Sequence, residues 1–173
     1  LIHPPFSAWT GGWIFSDRGR RRKADLIITR SAEETRALGV RLACALKPGD
    51  TLTLRGDLGA GKSELARGVA RGLGVSGPVP SPSFTILNMY DEGRCPLYHF
   101  DWYRIHDPEE IAEMGFQEQL NGDGVALIEW SEQAPEYVPE RRLNVTIKTL
   151  DENTREISFE PVGGFPFSEE QVK

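Results

Sequence analysis

Apolar residues recur along this chain in two spacings, every second residue or every third to fourth, and the switches between them predict the elements. Asp25 to Thr29 (DLIIT) reads as a strand. Ser31-Ala-Glu-Glu34 is a capping box that opens a helix with Leu38, Leu42, Ala45 and Leu46 on one face, closed by Pro48-Gly49. Thr51 to Leu54 alternates β-branched and apolar residues, the pattern of a strand. Leu65, Val69 and Leu73 then stand at i, i+4 and i+8, a helix face, and Gly72, Gly74 and Gly77-Pro78 are expected to end it. Phe84 to Tyr90 and Pro96 to Asp101 predict two antiparallel strands joined by the turn Asp91–Arg94. Asp107 caps a further helix with Pro108 at its first position. Val125-Ala-Leu-Ile-Glu129 is an uninterrupted apolar run ending in an acid, typical of a fully buried strand. Leu143–Thr149 and Arg155–Phe159 flank Asp151-Glu-Asn153 as a hairpin.

These elements predict one α/β domain over residues 25–160. Residues 1–24 are expected to be a disordered appendage, and 161–173, with Pro, Gly and acids, a loose tail. Charge supports the division. Residues 1–23 carry five basic residues (Arg18, Arg20, Arg21, Arg22 and Lys23) against Asp17, which leaves −10 on the rest of a chain whose net charge is −6. So acidic a body is a poor grip for an RNA or DNA backbone. A nucleic-acid-binding arm at Arg20–Lys23 is the alternative to a solvated tail. No run of about 20 apolar residues points to a membrane span. Cys44 and Cys95 form no C-x-x-C pair, which fits a reducing, cytoplasmic setting.

The chemistry concentrates between the second strand and second helix. Gly56-Asp-Leu-Gly-Ala-Gly61-Lys62-Ser63 matches the phosphate-loop pattern G-x-x-x-x-G-K-[ST] in full. Its glycines let backbone N–H groups curl toward an anion, and the helix N-terminus adds positive charge. Gly56, Gly59 and Gly61 are the glycines that allow this curl. Lys62 supplies a point charge to the outer phosphates and Ser63 a hydroxyl for Mg²⁺. The fold class expected is a P-loop NTPase-like mixed β-sheet flanked by helices.

Two acids close strands where such a site needs them. Asp101 and Glu129 are candidates for holding Mg²⁺ or orienting water, since ligands sit beyond the carboxyl ends of strands in open α/β sheets. Trp130 fits either a stacking role or the core. His99 is expected to face a sheet layer, and His3 and His106 show no metal-ligand spacing.

Together GDLGAGKS, SPSFT, YHFDWYR and LIEW, in this order, resemble the TsaE family, the ATPase of bacterial tRNA threonylcarbamoyladenosine biosynthesis. The resemblance covers about residues 26–160. It implies an ATP hydrolase that acts with a TsaD–TsaB complex in placing threonylcarbamoyl on the adenosine next to the anticodon. Such a protein resets that complex, does not transfer the group, and meets tRNA only indirectly. It further implies that Leu58, Gly59, Ala60, Gly61, Lys62 and Ser63 hold the nucleotide phosphates, that Ser63 and Glu129 hold Mg²⁺, that Asp101 serves hydrolysis, and that Ser83 lies on a switch-like segment. Trp130 matches an aromatic beside the metal acid, and the start of the first helix, near Ser31 and Ala32, matches a base contact. Glu64 stands where that family usually has Thr and puts a negative charge behind the loop that could lower nucleotide affinity. Trp102 stands where Leu is common.

Two other classes share the loop. A small-molecule kinase needs an acceptor pocket and an arginine lid, for which Arg141-Arg142 is the candidate. A nucleotide-dependent binding module without significant turnover is the other. The N-K-x-D motif of guanine-nucleotide switches is absent from the chain.

Overall fold

The computed structural model describes residues 13–14, 22–23 and 25–173. Strands β1 (Trp13–Ile14) and β2 (Arg22–Lys23) pair antiparallel as a separate ribbon. Otherwise, the disorder expected over 1–24 lies outside the described residues. There follow β3 (Asp25–Thr29), α1 (Ala32–Ala45), β4 (Thr51–Arg55), α2 (Lys62–Leu73), β5 (Leu87–Tyr90) and β6 (Leu97–Asp101). The chain continues with α3 (Glu109–Met114), α4 (Gln117–Asn121), β7 (Val125–Glu129), β8 (Arg142–Thr149) and β9 (Arg155–Val162). Strands β3 to β9 form one seven-stranded sheet in the order β3-β9-β8-β4-β7-β6-β5. Its middle, β8-β4-β7-β6, is parallel, and antiparallel strands flank it on both sides. The expected α/β class, a single domain with a mixed sheet flanked by helices, is what the structure has.

Period-two alternation gives the sheet two apolar faces. On β7, Val125 and Leu127 join the core under α1 and α2, while Ala126 and Ile128 join a second core with Phe100, Ile105, Ile111 and Leu120. Trp102 is fully buried in that second core, edge-on to Phe100 at 6.2 Å between centroids. All five residues of β7 are buried, as an uninterrupted apolar run demands.

Helix α1 starts as the capping box predicts. Ser31 Oγ accepts the N–H of Glu34 at 3.0 Å, while the Glu34 carboxylate reaches back to the N–H of Arg30 at 2.7 Å. Helix α2 runs through Gly72 and closes at Gly74. Gly72 faces Val40 and Ala43 of α1 instead of ending the helix. Residues 161–173 also depart from the expected loose tail. Strand β9 extends to Val162, Phe167 stacks on Phe159 at 4.9 Å, and Phe165 and Val172 are buried. Arg41 Nε holds Val172 O at 2.8 Å. Three apolar side chains among turn-forming residues are enough to fold the tail back over the α1 face of the sheet.

The strand expected over Phe84–Tyr90 begins three residues later, at Leu87. Residues 83–85 turn instead, and Ile86 takes a left-handed backbone with φ 65°, its N–H bonded to Pro82 O at 2.7 Å. A β-branched residue at positive φ is costly and persists only where its surroundings hold it.

Close approach of α1 and α2 seats the phosphate loop on the sheet. A Cβ at Gly68 would stand 2.1 Å from Arg36 O, and one at Gly39 would stand 2.5 Å from Leu65 O. Gly68→Ala is therefore expected to lower stability by about 2–3 kcal/mol, the upper part of the overpacking range. Urea unfolding reads this as a lower midpoint at unchanged slope. An unchanged midpoint would contradict the helix contact.

Candidate functional site

The loop between β4 and α2 curls through Gly56, Gly59 and Gly61, with φ of 145°, 78° and 106°. Gly56 admits no side chain, because a Cβ there would stand 2.3 Å from Ile147 O. The curl ends at Lys62, first residue of α2, where the first N–H groups of a helix have no carbonyl one turn back. Lys62 is only 5% exposed. Its Nζ donates to Gly56 O at 2.7 Å and Asp57 O at 2.9 Å, and lies 4.1 Å from the Trp130 ring centroid. Burial lowers its pKa from the ordinary lysine value, opposed by the carboxylates of Glu129, Glu132, Asp101 and Asp57. Arg155 Nε donates to Ala60 O at 2.9 Å and ties the β8–β9 hairpin to the loop.

Two acids converge on this loop from the sheet. Glu129 is 2% exposed, and both its carboxylate oxygens lie 3.4 Å from Ser63 Oγ. That is longer than an ordinary hydroxyl–carboxylate hydrogen bond of about 2.5–3.0 Å. A hydroxyl and a buried carboxylate facing each other are hard oxygen donors of the kind Mg²⁺ takes, with bonds of about 2.1 Å. The pair therefore suits a small hard cation. Among the described residues no group of three or more His, Cys, Asp or Glu side chains gathers as a metal site. His99 Nε2 touches Glu129 Oε1 at 2.9 Å.

Asp101 is 3% exposed, and both its carboxylate oxygens accept hydrogen bonds. Its Oδ2 accepts the hydroxyls of Ser81 at 2.8 Å and Ser83 at 2.7 Å, and its Oδ1 accepts the N–H of Tyr103 at 3.0 Å. Ser81 and Ser83 also touch each other at 2.9 Å. These contacts draw residues 81–86 into the turn that replaces the first part of the expected strand. They are seen only once the fold brings Asp101 beneath that segment.

A cavity of about 330 Å³ unites these groups, lined in part by Leu58, Lys62, Ser63, Ser83, Asp101 and Glu129. Gly59, Gly61 and Trp130 line it as well, and Ala60 is buried behind the loop. Trp130 is partly buried, takes a left-handed backbone with φ 59°, and packs on Tyr103 at 4.9 Å between centroids. Ala32 stands apart. It is exposed on the first turn of α1 and lines no part of this cavity, although Thr29, just before it, pairs with Arg155.

Sequence reading missed Arg67 and Arg155, which carry no local mark, whereas Ser81, two residues before Ser83, opens the SPSFT motif. Arg67 lines the cavity, bonds the Glu64 carboxylate, and donates from Nε to Val79 O at 3.2 Å. Arg36 pairs with Glu64 as well, so two guanidinium groups balance the negative charge behind the loop. The lid arginines of a kinase are not at the site. Arg141 pairs with Asp50 at 2.8 Å, and Arg142 binds Asn144 Oδ1 at 3.0 Å and the carbonyls of Pro139 and Glu140. Cys44 and Cys95 are both free thiols. Among the described residues no helix is long and apolar enough to cross a membrane.

The chain is similar to known proteins over most of its length. The model of the family described as threonylcarbamoyl adenosine biosynthesis protein TsaE matches residues 29–157. A protein of Bacillus subtilis named tRNA threonylcarbamoyladenosine biosynthesis protein TsaE is 46% identical over 135 residues, covering 78% of this chain and 84% of that protein. One of the same name from Treponema pallidum is 37% identical, covering 76% of this chain and 96% of its own length. The crystal structure of YdiB from Bacillus subtilis superposes with a TM-score of 0.71 at 42% identity, over 82% of this chain and 87% of that one.

The tether between Asp101 and the serine segment is testable without any ligand. In Asp101→Ala the amide of Ile86 is expected to exchange about tenfold faster, a loss of about 1.4 kcal/mol of local stability. Unchanged protection would show that the segment is held by something else.

Proposed function

The chain belongs to the TsaE family, whose members carry the name of tRNA threonylcarbamoyladenosine biosynthesis, and from this we propose that it is a Mg²⁺-dependent ATPase serving that modification. The observation that carries the reading is the Ser63–Glu129 pair, a hydroxyl facing both oxygens of a buried carboxylate at the head of the phosphate-loop helix.

In this reading the N–H groups from Leu58 to Ser63 take the phosphates of ATP, and Lys62 turns its ammonium from the loop carbonyls to the outer phosphates. Ser63 and Glu129 would hold Mg²⁺, which when bound supplies positive charge to the phosphate oxygens. Asp101 keeps its carboxylate oriented through Ser81, Ser83 and the Tyr103 N–H, and orients the attacking water. Trp130 covers the Lys62 ammonium and narrows the cavity. The base lies toward Ala32, on the side of the loop that Arg155 anchors.

Hydrolysis by the isolated chain is slow. Arg67, which lines the cavity, is held by Glu64 and Val79 O and is not free to reach the phosphates. Where an arginine finger is used, its absence costs about 10³–10⁵ in rate. Around the site Leu58, Phe84 and Tyr103 are 78%, 84% and 45% exposed, an apolar rim suited to a protein partner. We assign that partner as the TsaD–TsaB complex, with tRNA reached only through it and the whole acting in the cytoplasm. The segment of Ser81 and Ser83 then reports the nucleotide state, because its tether is the same Asp101 that serves hydrolysis.

Lys62→Ala is expected to weaken Mg-ATP binding about 100-fold or more by calorimetry; unchanged affinity would remove the loop assignment. Asp101→Asn is expected to slow turnover about 100-fold while ATP affinity stays within about threefold. Association with the TsaD–TsaB complex is expected to be about tenfold tighter under ATP than under ADP, and substitution of Ser83 is expected to erase that difference. Equal association under ATP, ADP and no nucleotide, with turnover unchanged on mixing, would leave only a generic nucleotide binder.

A further inference from the structure

Below the two acids sits a group that the reading above does not use. His99 is 1% exposed on β6, two residues before Asp101, and the alternation of the strand puts both on the face that carries Glu129. Its Nε2 is 2.9 Å from Glu129 Oε1, and its Nδ1 is buried with no hydrogen-bond partner among the described residues. Leaving a buried polar atom unpaired costs about 1–3 kcal/mol. A leucine would fill the same layer without that cost, so packing alone does not account for an imidazole here.

We infer that His99 is a positioning residue for Glu129. This deepens the reading of Ser63 and Glu129 as the metal-holding pair, and rests on it. A glutamate reaches its carboxylate through three rotatable bonds, so holding both oxygens toward one hydroxyl needs an anchor. Ser63 does not provide it, at 3.4 Å to each oxygen. The contact with His99 is of ordinary hydrogen-bond length. An ionised carboxylate only accepts, so the network assigns the hydrogen to Nε2 and leaves Nδ1 as a lone pair. With His99 in place Glu129 stays aimed at Ser63. Without it the carboxylate is free to swing toward the Lys62 ammonium and cancel the charge meant for phosphate. A histidine–carboxylate contact of this kind acts on metal affinity by orienting the ligand.

The test is the Mg²⁺ dependence of ADP binding by calorimetry in wild type, His99→Leu and His99→Gln. His99→Leu is expected to weaken Mg²⁺ binding to the nucleotide complex about 10–100-fold. Affinity for ADP without metal should stay within about threefold. His99→Gln, whose amide nitrogen reaches the place of Nε2, should recover most of the loss. Metal-free affinity falling as far as the metal-dependent part, or Leu and Gln behaving alike, overturns the inference. A wild-type protein whose ADP affinity ignores Mg²⁺ overturns the Ser63–Glu129 reading itself; a wild type that responds and a His99→Leu that responds equally overturns this inference alone. Nitrogen NMR of unliganded wild type decides the matter if His99→Leu fails to fold. The Nε2–H tautomer is expected, with its resonance moved by Glu129→Gln, and an Nδ1–H tautomer contradicts the proposal.

Discussion

The parallel pairing of β4, β7 and β6 sets Leu54 opposite Glu129 and Glu129 opposite Asp101. Two buried carboxylates thereby end adjacent strands at one level, directly beyond which β4 releases its chain into the phosphate loop. Side chains alternate along each strand, so the parity that buries Val125 and Leu127 under α2 also points Glu129 at Ser63. A slip of one residue in β7 would bury the carboxylate in the second core and turn Ile128 to the loop. Core packing and site geometry are one constraint here, because the apolar residues of β7 enforce the register on which the acid depends.

Charge is balanced locally across the site. Lys62 is desolvated yet surrounded by Glu129, Glu132, Asp101 and Asp57, so its ammonium keeps counter-charges although burial disfavours it. Glu64 is answered by Arg36 and Arg67, and Arg67 carries that contact onward to Val79, where the serine segment begins. The acidic residue behind the loop thus belongs to a bridge between α1, α2 and residues 79–83, and does not act as a free negative charge beside the phosphates.

What the sequence disclosed was what local rules govern. The phosphate loop, the capping box of α1, the buried run of β7 and the β8–β9 hairpin each declare themselves within fewer than about twenty residues. Asp101 and Glu129 were legible because acids that end apolar strands need a reason. The rest depends on contacts across the fold. The late start of β5 follows from Ser81 and Ser83 reaching Asp101, 20 and 18 residues away. Arg155 meets Ala60 across 95 residues, and His99 meets Glu129 across 30. The tail looked loose because Pro and Gly dilute Phe165, Phe167 and Val172, and composition does not reveal that a sheet face awaits them.

The central claim is that Ser63 and Glu129 together hold the metal on nucleotide phosphates cradled by residues 58–63. A crystal structure with ADP and Mn²⁺, the ion located by its anomalous signal, tests it most directly. The account predicts the β-phosphate against the N–H groups of the loop. It predicts the ion bonded to Ser63 Oγ at about 2.0–2.3 Å, with Glu129 bonded to it directly or through one water. An ion held away from both residues, or a nucleotide seated outside the loop, would contradict it.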